Sequence, residues 1–242
     1  ADCSFTPNWV HAMVAYFANE QIQLVSGPVN FHRQKGIFQS LQALEFTSLI
    51  GSGAGAIGMG NAIFCNGANM AYRKAVFMEV NDFEADKAVS GDDVFLLHSV
   101  KAKYPTAIAF AKNEDAIVTT EGVQSIKGFL NQRKRWTAKS SGYKDWASIY
   151  TSFLVLFTNL IGVLLIALLF FDLNYLHYFI YYFGLKFFVD LYLLFPVLGF
   201  FKRKDLVKWI FPFEFIYSFY IILIVILSFT NTFEWKGRTH KK

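Results

Sequence analysis

The chain has 242 residues and a net charge of +5, with 54% hydrophobic, 19% aromatic and 17% charged residues. A mean hydropathy of +0.33 is high for a wholly water-soluble protein. The apolar excess lies after residue 149, so the chain divides into a soluble-looking first part and a membrane-embedded second part. The basic residues cluster at Lys127 to Lys144, Lys202 to Lys208 and Lys236 to Lys242, each beside an apolar stretch. That placement favours a membrane over nucleic acid as the partner of the positive charge. The two cysteines, Cys3 and Cys65, are far apart, which argues against a disulfide framework or a zinc site and fits a reducing, cytosolic setting. The chain opens on Ala1 in what reads as mid-domain sequence, so it is expected to be the C-terminal part of a longer protein.

In chain order, a helical run is expected from Pro7 to Glu20 and a short strand at Ile22 to Val25. Ile37, Leu41, Leu44 and Leu49 recur at helical spacing. Gly53-x-Gly55-x-x-Gly58 imitates a dinucleotide fingerprint. That motif requires a strand before it and a helix after it. Here a helix precedes and a strand at Ala62 to Cys65 is expected to follow, so a flexible or closely packed glycine loop is the better reading. A turn at Asn66-Gly67 and a helix beginning between Ala71 and Val76 come next. Asp92 to Lys103 forms a helix with Val94, Leu97 and Val100 on one face, and strands are expected at Ala107 to Ala111 and Ala116 to Thr119. Alternating strands and helices indicate an α/β domain.

Ser125 to Trp136 reads as a basic helix lying at a membrane surface. Tyr150 to Phe171 has no charged residue; at about 1.5 Å per residue it is long enough for a bilayer core of roughly 30 Å. Tyr175 to Phe200 is a second apolar segment, in which Lys186 and Asp190 share one helix face and can pair. Phe215 to Phe233 is a third, preceded by Pro212 and Glu214. The short, base-free Asp172-Leu173-Asn174 belongs outside, and Phe201 to Asp205 inside with the α/β domain. Three complete spans would put the basic tail Trp235 to Lys242 outside. Either the charge bias fails there or one segment does not cross fully.

Two motifs carry candidate chemistry. In Gly91-Asp92-Asp93, adjacent carboxylates before a helix can cap its free N–H groups; alternatively, one is a fixed, accessible general base. In Gln132-Arg133-Lys134-Arg135-Trp136, the bases can snorkel at a lipid surface. Alternatively, Arg offers a planar fork for a diphosphate, Trp a flat face for a sugar ring and Gln hydrogen bonds for hydroxyls.

The order of these pieces resembles glycosyltransferase family 2, the inverting GT-A enzymes that include cellulose, chitin and hyaluronan synthases; ceramide glucosyltransferase is similar. Ala1-Asp2-Cys3 resembles the end of the family's Asp-x-Asp segment. Cys65 to Lys74 resembles its Gly-x-Asn stretch, Gly91-Asp92-Asp93 sits where the family has Thr/Glu-Asp, and Gln132 to Trp136 fits its Gln-x-x-Arg-Trp. The resemblance covers about residues 1–145. It implies an α/β GT-A-like (Rossmann-like nucleotide-diphospho-sugar transferase) partial domain over residues 1–124. An amphipathic interfacial helix region would follow at 125–146 and a transmembrane region at 147–242, with spans near 150–171, 175–200 and 209–233.

By the same resemblance Asp93 is the catalytic base. Asp92, which replaces the family's usual Glu, binds substrate with Gly67, Asn69, Gln132, Arg135 and Trp136. Asp2 is a ligand for Mg²⁺ or Mn²⁺. The implied reaction moves a sugar from a nucleotide-diphosphate sugar to a lipid or polysaccharide acceptor at the cytosolic membrane face, with no nucleic acid partner. A non-catalytic transferase-like membrane scaffold and a transporter built around Lys186 and Asp190 are the competing readings.

Overall fold

The computed structural model describes residues 3–33, 35–80, 92–140, 142–229, 232–235 and 238–241. They form two compact units, residues 1–122 and 123–242.

The first unit is built on two three-stranded mixed sheets. Strands β1 (Cys3–Phe5) and β3 (Val29–Phe31) flank β6 (Val118–Thr120), β1 antiparallel and β3 parallel to it. In the other sheet, β2 (Leu24–Ser26) lies between β4 (Met70–Tyr72), antiparallel to it, and β5 (Ile108–Phe110), parallel to it. Successive side chains of a strand face opposite ways. Leu24 accordingly enters one apolar cluster with Ile57, Cys65, Leu97, Val100 and Ile108, while Val25 enters another with Met13, Ala111 and Ala116. A strand buried on both faces in this way cannot show polar alternation.

Helix α1 (Trp9–Val14) runs into a 3₁₀ turn at Ala15–Ala18, shorter than the expected Pro7 to Glu20. Helix α2 (Ile37–Gly58) contains the whole glycine run, which corrects the expected loop. The physical reason is a close approach: a Cβ on Gly53 would lie 3.2 Å from both the ring and the carbonyl oxygen of Phe64. Packing thus offsets the roughly 1 kcal/mol cost of a helical glycine at Gly53, whereas a Cβ on Gly55 or Gly58 would meet nothing within 4 Å. Phe64 itself lies in irregular chain, so the expected strand at Ala62 to Cys65 is absent and pairing begins at β4. Helices α3 (Lys74–Val80) and α4 (Asp92–Lys103) are tied by Lys103 and Tyr104, whose Nζ and hydroxyl bond the Glu79 carboxylate at 2.5 and 2.6 Å.

The second unit begins with α5 (Ile126–Ser140). Three helices follow: α6 (Trp146–Leu169), α7 (Leu176–Phe200) and α8 (Ile210–Ser228). Each lies within a segment long and apolar enough to cross a membrane. Their outward positions are apolar and exposed, among them Phe157, Leu164, Phe188, Tyr192 and Ile226, as expected of surfaces solvated by lipid. The third span starts earlier than Phe215 and stops at Ser228. Pro212 falls in its first turn, where backbone N–H groups need no helical partner. Thr232–Trp235 and Arg238–Lys241 then pair as an antiparallel hairpin, β7 and β8.

The three helices meet on a polar seam. Lys186 pairs with Asp190 at 2.6 Å and with Glu214 of α8. Ser218 donates to Asn159 Oδ1 at 3.2 Å, and the Tyr182 hydroxyl donates to the Thr158 carbonyl. Gly162 lets the helices approach, since a Cβ there would sit 3.0 Å from Ser218 Oγ. Replacing Lys186 by Met strands the buried Glu214 carboxylate. The expected cost is on the order of 3 kcal/mol. Thermal unfolding of the detergent-solubilised protein checks it, and the double variant Lys186→Met/Glu214→Leu should recover most of the loss.

Candidate functional site

Asp93 is the second residue of α4, held where the loop from Cys65 to Asn69 crosses the start of that helix. Gly67 donates its N–H to Asp93 Oδ2 at 2.9 Å, and the Val94 N–H reaches Oδ1 at 2.9 Å. The carboxyl group is half-buried, while Asp92 at the first helical position is exposed. Both sit where a helix's partial positive charge favours an anion. A Cβ on Gly67 would lie 3.2 Å from Asp93 Cβ and Oδ2, so only glycine leaves the carboxylate undisturbed. The Cys65 thiol donates to the Asp93 carbonyl at 3.3 Å. Burial pushes this thiol's pKa well up, and the Asp93 carboxylate adds to the shift. Cys65 is therefore a neutral packing group beneath the site rather than a nucleophile.

Asn69 is fully buried. Its Oδ1 accepts from Trp9 Nε1 at 3.0 Å, and its Nδ2 donates to the carbonyls of Pro28 at 2.8 Å and Ala116 at 2.7 Å. Gly27 donates to the Asn69 carbonyl at 2.7 Å, and a Cβ on Gly27 would overlap the Asn69 amide. With its amide committed to protein, Asn69 fixes the loop that carries Gly67. Arg73 does similar work: its guanidinium donates to the Ile22 and Phe17 carbonyls, each at 2.9 Å.

On α5, Gln132, Arg135 and Trp136 are half-buried. Arg133, which was not singled out as a site residue from the sequence, is only 3% exposed. Its Nη1 donates to Gln132 Oε1 at 2.7 Å. Its guanidinium lies 4.6 Å from the Phe129 ring centre and 4.1 Å from that of Trp136. Phe129 in turn stacks on Tyr220 of α8 at 5.6 Å. A signal existed, since residues 129, 133 and 136 share a helix face, but spacing alone does not say which arginine turns inward.

The structure thus brings Gly67 and Asp93 together in the first unit, and Gln132, Arg133 and Trp136 together in the second. Gly91 and the expected metal ligand Asp2 lie outside the described residues. Among the described residues no group of three or more His, Cys, Asp or Glu side chains is placed to hold a metal ion.

Chemically, the first set is an oriented carboxylate, and the second is an amide and an indole held against a buried guanidinium, groups suited to sugar hydroxyls and ring faces. No curated protein matches the sequence. The family model described as glycosyl transferase family group 2 matches residues 1–233, a stretch that takes in both sets and all three apolar helices. The chain therefore belongs to that family and is a glycosyltransferase, with three helices among the described residues long and apolar enough to cross a membrane.

Proposed function

We propose that this glycosyltransferase inverts the anomeric centre as it transfers a sugar from a nucleotide-diphosphate sugar to a lipid or polysaccharide hydroxyl at the cytosolic membrane face. The observation that carries the reading is the Asp93 carboxylate, fixed by the Gly67 N–H at the start of α4 within a chain of this family. The parallel pairing of β2 with β5 and the antiparallel pairing of β2 with β4 support a GT-A-like α/β domain. The basic residues Lys202, Arg203 and Lys204 between α7 and α8 support a cytosolic orientation.

In this reading Asp93 accepts the proton of the acceptor hydroxyl. The hydroxyl oxygen forms a bond to the anomeric carbon as the bond from that carbon to the diphosphate oxygen breaks. The bonding pair departs with the nucleoside diphosphate, and a single displacement inverts the centre. Backbone donors hold one lone pair of each Asp93 oxygen and so orient the carboxylate before the acceptor arrives. Arg135 binds diphosphate oxygens, Trp136 lies against a sugar ring, and Gln132 and Asp92 hydrogen-bond the substrate. Asp2 is proposed as a ligand of Mg²⁺ or Mn²⁺, an ion that when bound neutralises charge on the donor diphosphate.

The test is the full-length protein in membranes, offered a panel of nucleotide sugars with Mg²⁺ or Mn²⁺, with the product's anomeric configuration read by NMR. Transfer with inversion, lost on chelation, is expected. Retained configuration would sink the single-displacement mechanism. Failure to transfer from any donor would favour the scaffold alternative.

A further inference from the structure

Arg133 has an unusual environment for a base on a helix of such cationic composition. Its neighbours Lys134 and Arg135 remain partly exposed, whereas Arg133 is buried with its guanidinium between two aromatic rings at positions i−4 and i+3. A flat, weakly hydrated guanidinium suits such stacking, and an ammonium does not. The lower ring, Phe129, rests on Tyr220 of α8 and so anchors the stack to a membrane helix. The upper ring is Trp136. The guanidinium also donates to the Gln132 side chain.

That contact has a chemical consequence. An arginine side chain has donors and no acceptor, so the Gln132 atom facing it is the amide oxygen. The Gln132 NH₂ is then the end turned to any ligand. It can recognise only hydrogen-bond acceptors, such as a phosphate oxygen or the lone pair of a sugar hydroxyl.

We infer that Arg133 is a positioning residue for sugar transfer: it fixes the Gln132 amide with its NH₂ toward the substrate and holds the Trp136 ring against a stack rooted on α8. This rests on the reading of the chain's reaction given above. Arg133 acts through its two neighbours and not by touching the donor.

Two substitutions separate this from a packing role. Gln132→Glu keeps an acceptor for Arg133, and strengthens that contact, but deletes the NH₂ donors. It should lower kcat/KM for the nucleotide sugar at least tenfold, chiefly through KM, with thermal unfolding unchanged. Arg133→Met keeps an apolar filler between the rings and frees the Gln132 amide. It should lower kcat/KM comparably, and the double variant Arg133→Met/Gln132→Ala should be no worse than the weaker single variant. Wild-type transfer by Gln132→Glu, or fully multiplicative losses in the double variant, would overturn the inference. If Arg133→Met does not fold, Gln132→Glu decides alone. An Asp93→Asn control run in parallel distinguishes the outcomes: if it too retains transfer, the reaction assigned to the chain is at fault, and if it abolishes transfer while Gln132→Glu is normal, Arg133 is.

Discussion

Asp93→Asn is expected to reduce sugar transfer by about a hundredfold to ten-thousandfold, the range contributed by a positioned general base. Membrane insertion and folding should persist. The substitution is informative because Asp93 has two roles that Asn separates. As a group near a helix start, Asn serves nearly as well as Asp, and its side-chain oxygen can still accept from the Gly67 or Val94 N–H. As a base, the amide is useless. A purely capping Asp93 therefore predicts near-normal transfer by the variant, and so does a transporter centred on Lys186. Product formation by purified Asp93→Asn in the same membranes, normalised to folded protein, distinguishes these cases. Gly67→Ala provides the geometric counterpart. A methyl 3.2 Å from the carboxylate must push it by a few tenths of an ångström. Loss of activity exceeding any loss of stability would show that the orientation of Asp93 matters as well as its charge.

The second large effect concerns stability. Asn69→Ala removes one acceptor and two donor bonds at a fully buried point where Trp9, Pro28 and Ala116 converge. Trp9 Nε1–H and the Ala116 carbonyl lose this partner together, while the Pro28 carbonyl keeps the Val118 N–H at 3.0 Å, and each buried unsatisfied group costs about 1–3 kcal/mol. A total on the order of 3 kcal/mol is expected even if water enters to satisfy some of them. Against the roughly 5–15 kcal/mol that separates folded from unfolded domains, this is enough to depress yield and melting temperature. Thermal unfolding and folded yield of the purified variant measure it. If Asn69 instead acted mainly on the sugar, unfolding would be unchanged while the donor KM rose. Asn69→Asp is a harsher control, because a carboxylate cannot donate to the Pro28 and Ala116 carbonyls.

Local pattern made several elements legible. The helix at Asp92 to Lys103 was evident because two acids begin it and Val94, Leu97 and Val100 recur on one face. The three apolar helices were evident because lipid demands long uninterrupted runs, and the Lys186–Asp190 pair because residues four apart share a face. What failed did so where a distant segment decided the outcome. The glycines of α2 look like a loop until Phe64 packs on Gly53. The chain at Ala62 to Cys65 has strand-like composition but no strand partner, and β4 takes the place beside β2. Glu214 joins Lys186 from 28 residues away, a partner that no local spacing announces.

The candidate site divides the same way. The residue types of both motifs, their order and the family they resemble are properties of the sequence, because they depend on chemistry and on separation along the chain. The sequence alone also determined that a basic helix precedes three apolar ones. Only the tertiary structure decided that Gly67 holds Asp93, that the Asn69 amide is spent inside the protein, and that Arg133 is buried while Arg135 is only half-buried. Those outcomes depend on which groups from remote segments meet. A hydrogen bond or a stacked ring fixes a side chain's direction only once its partner has been brought to it.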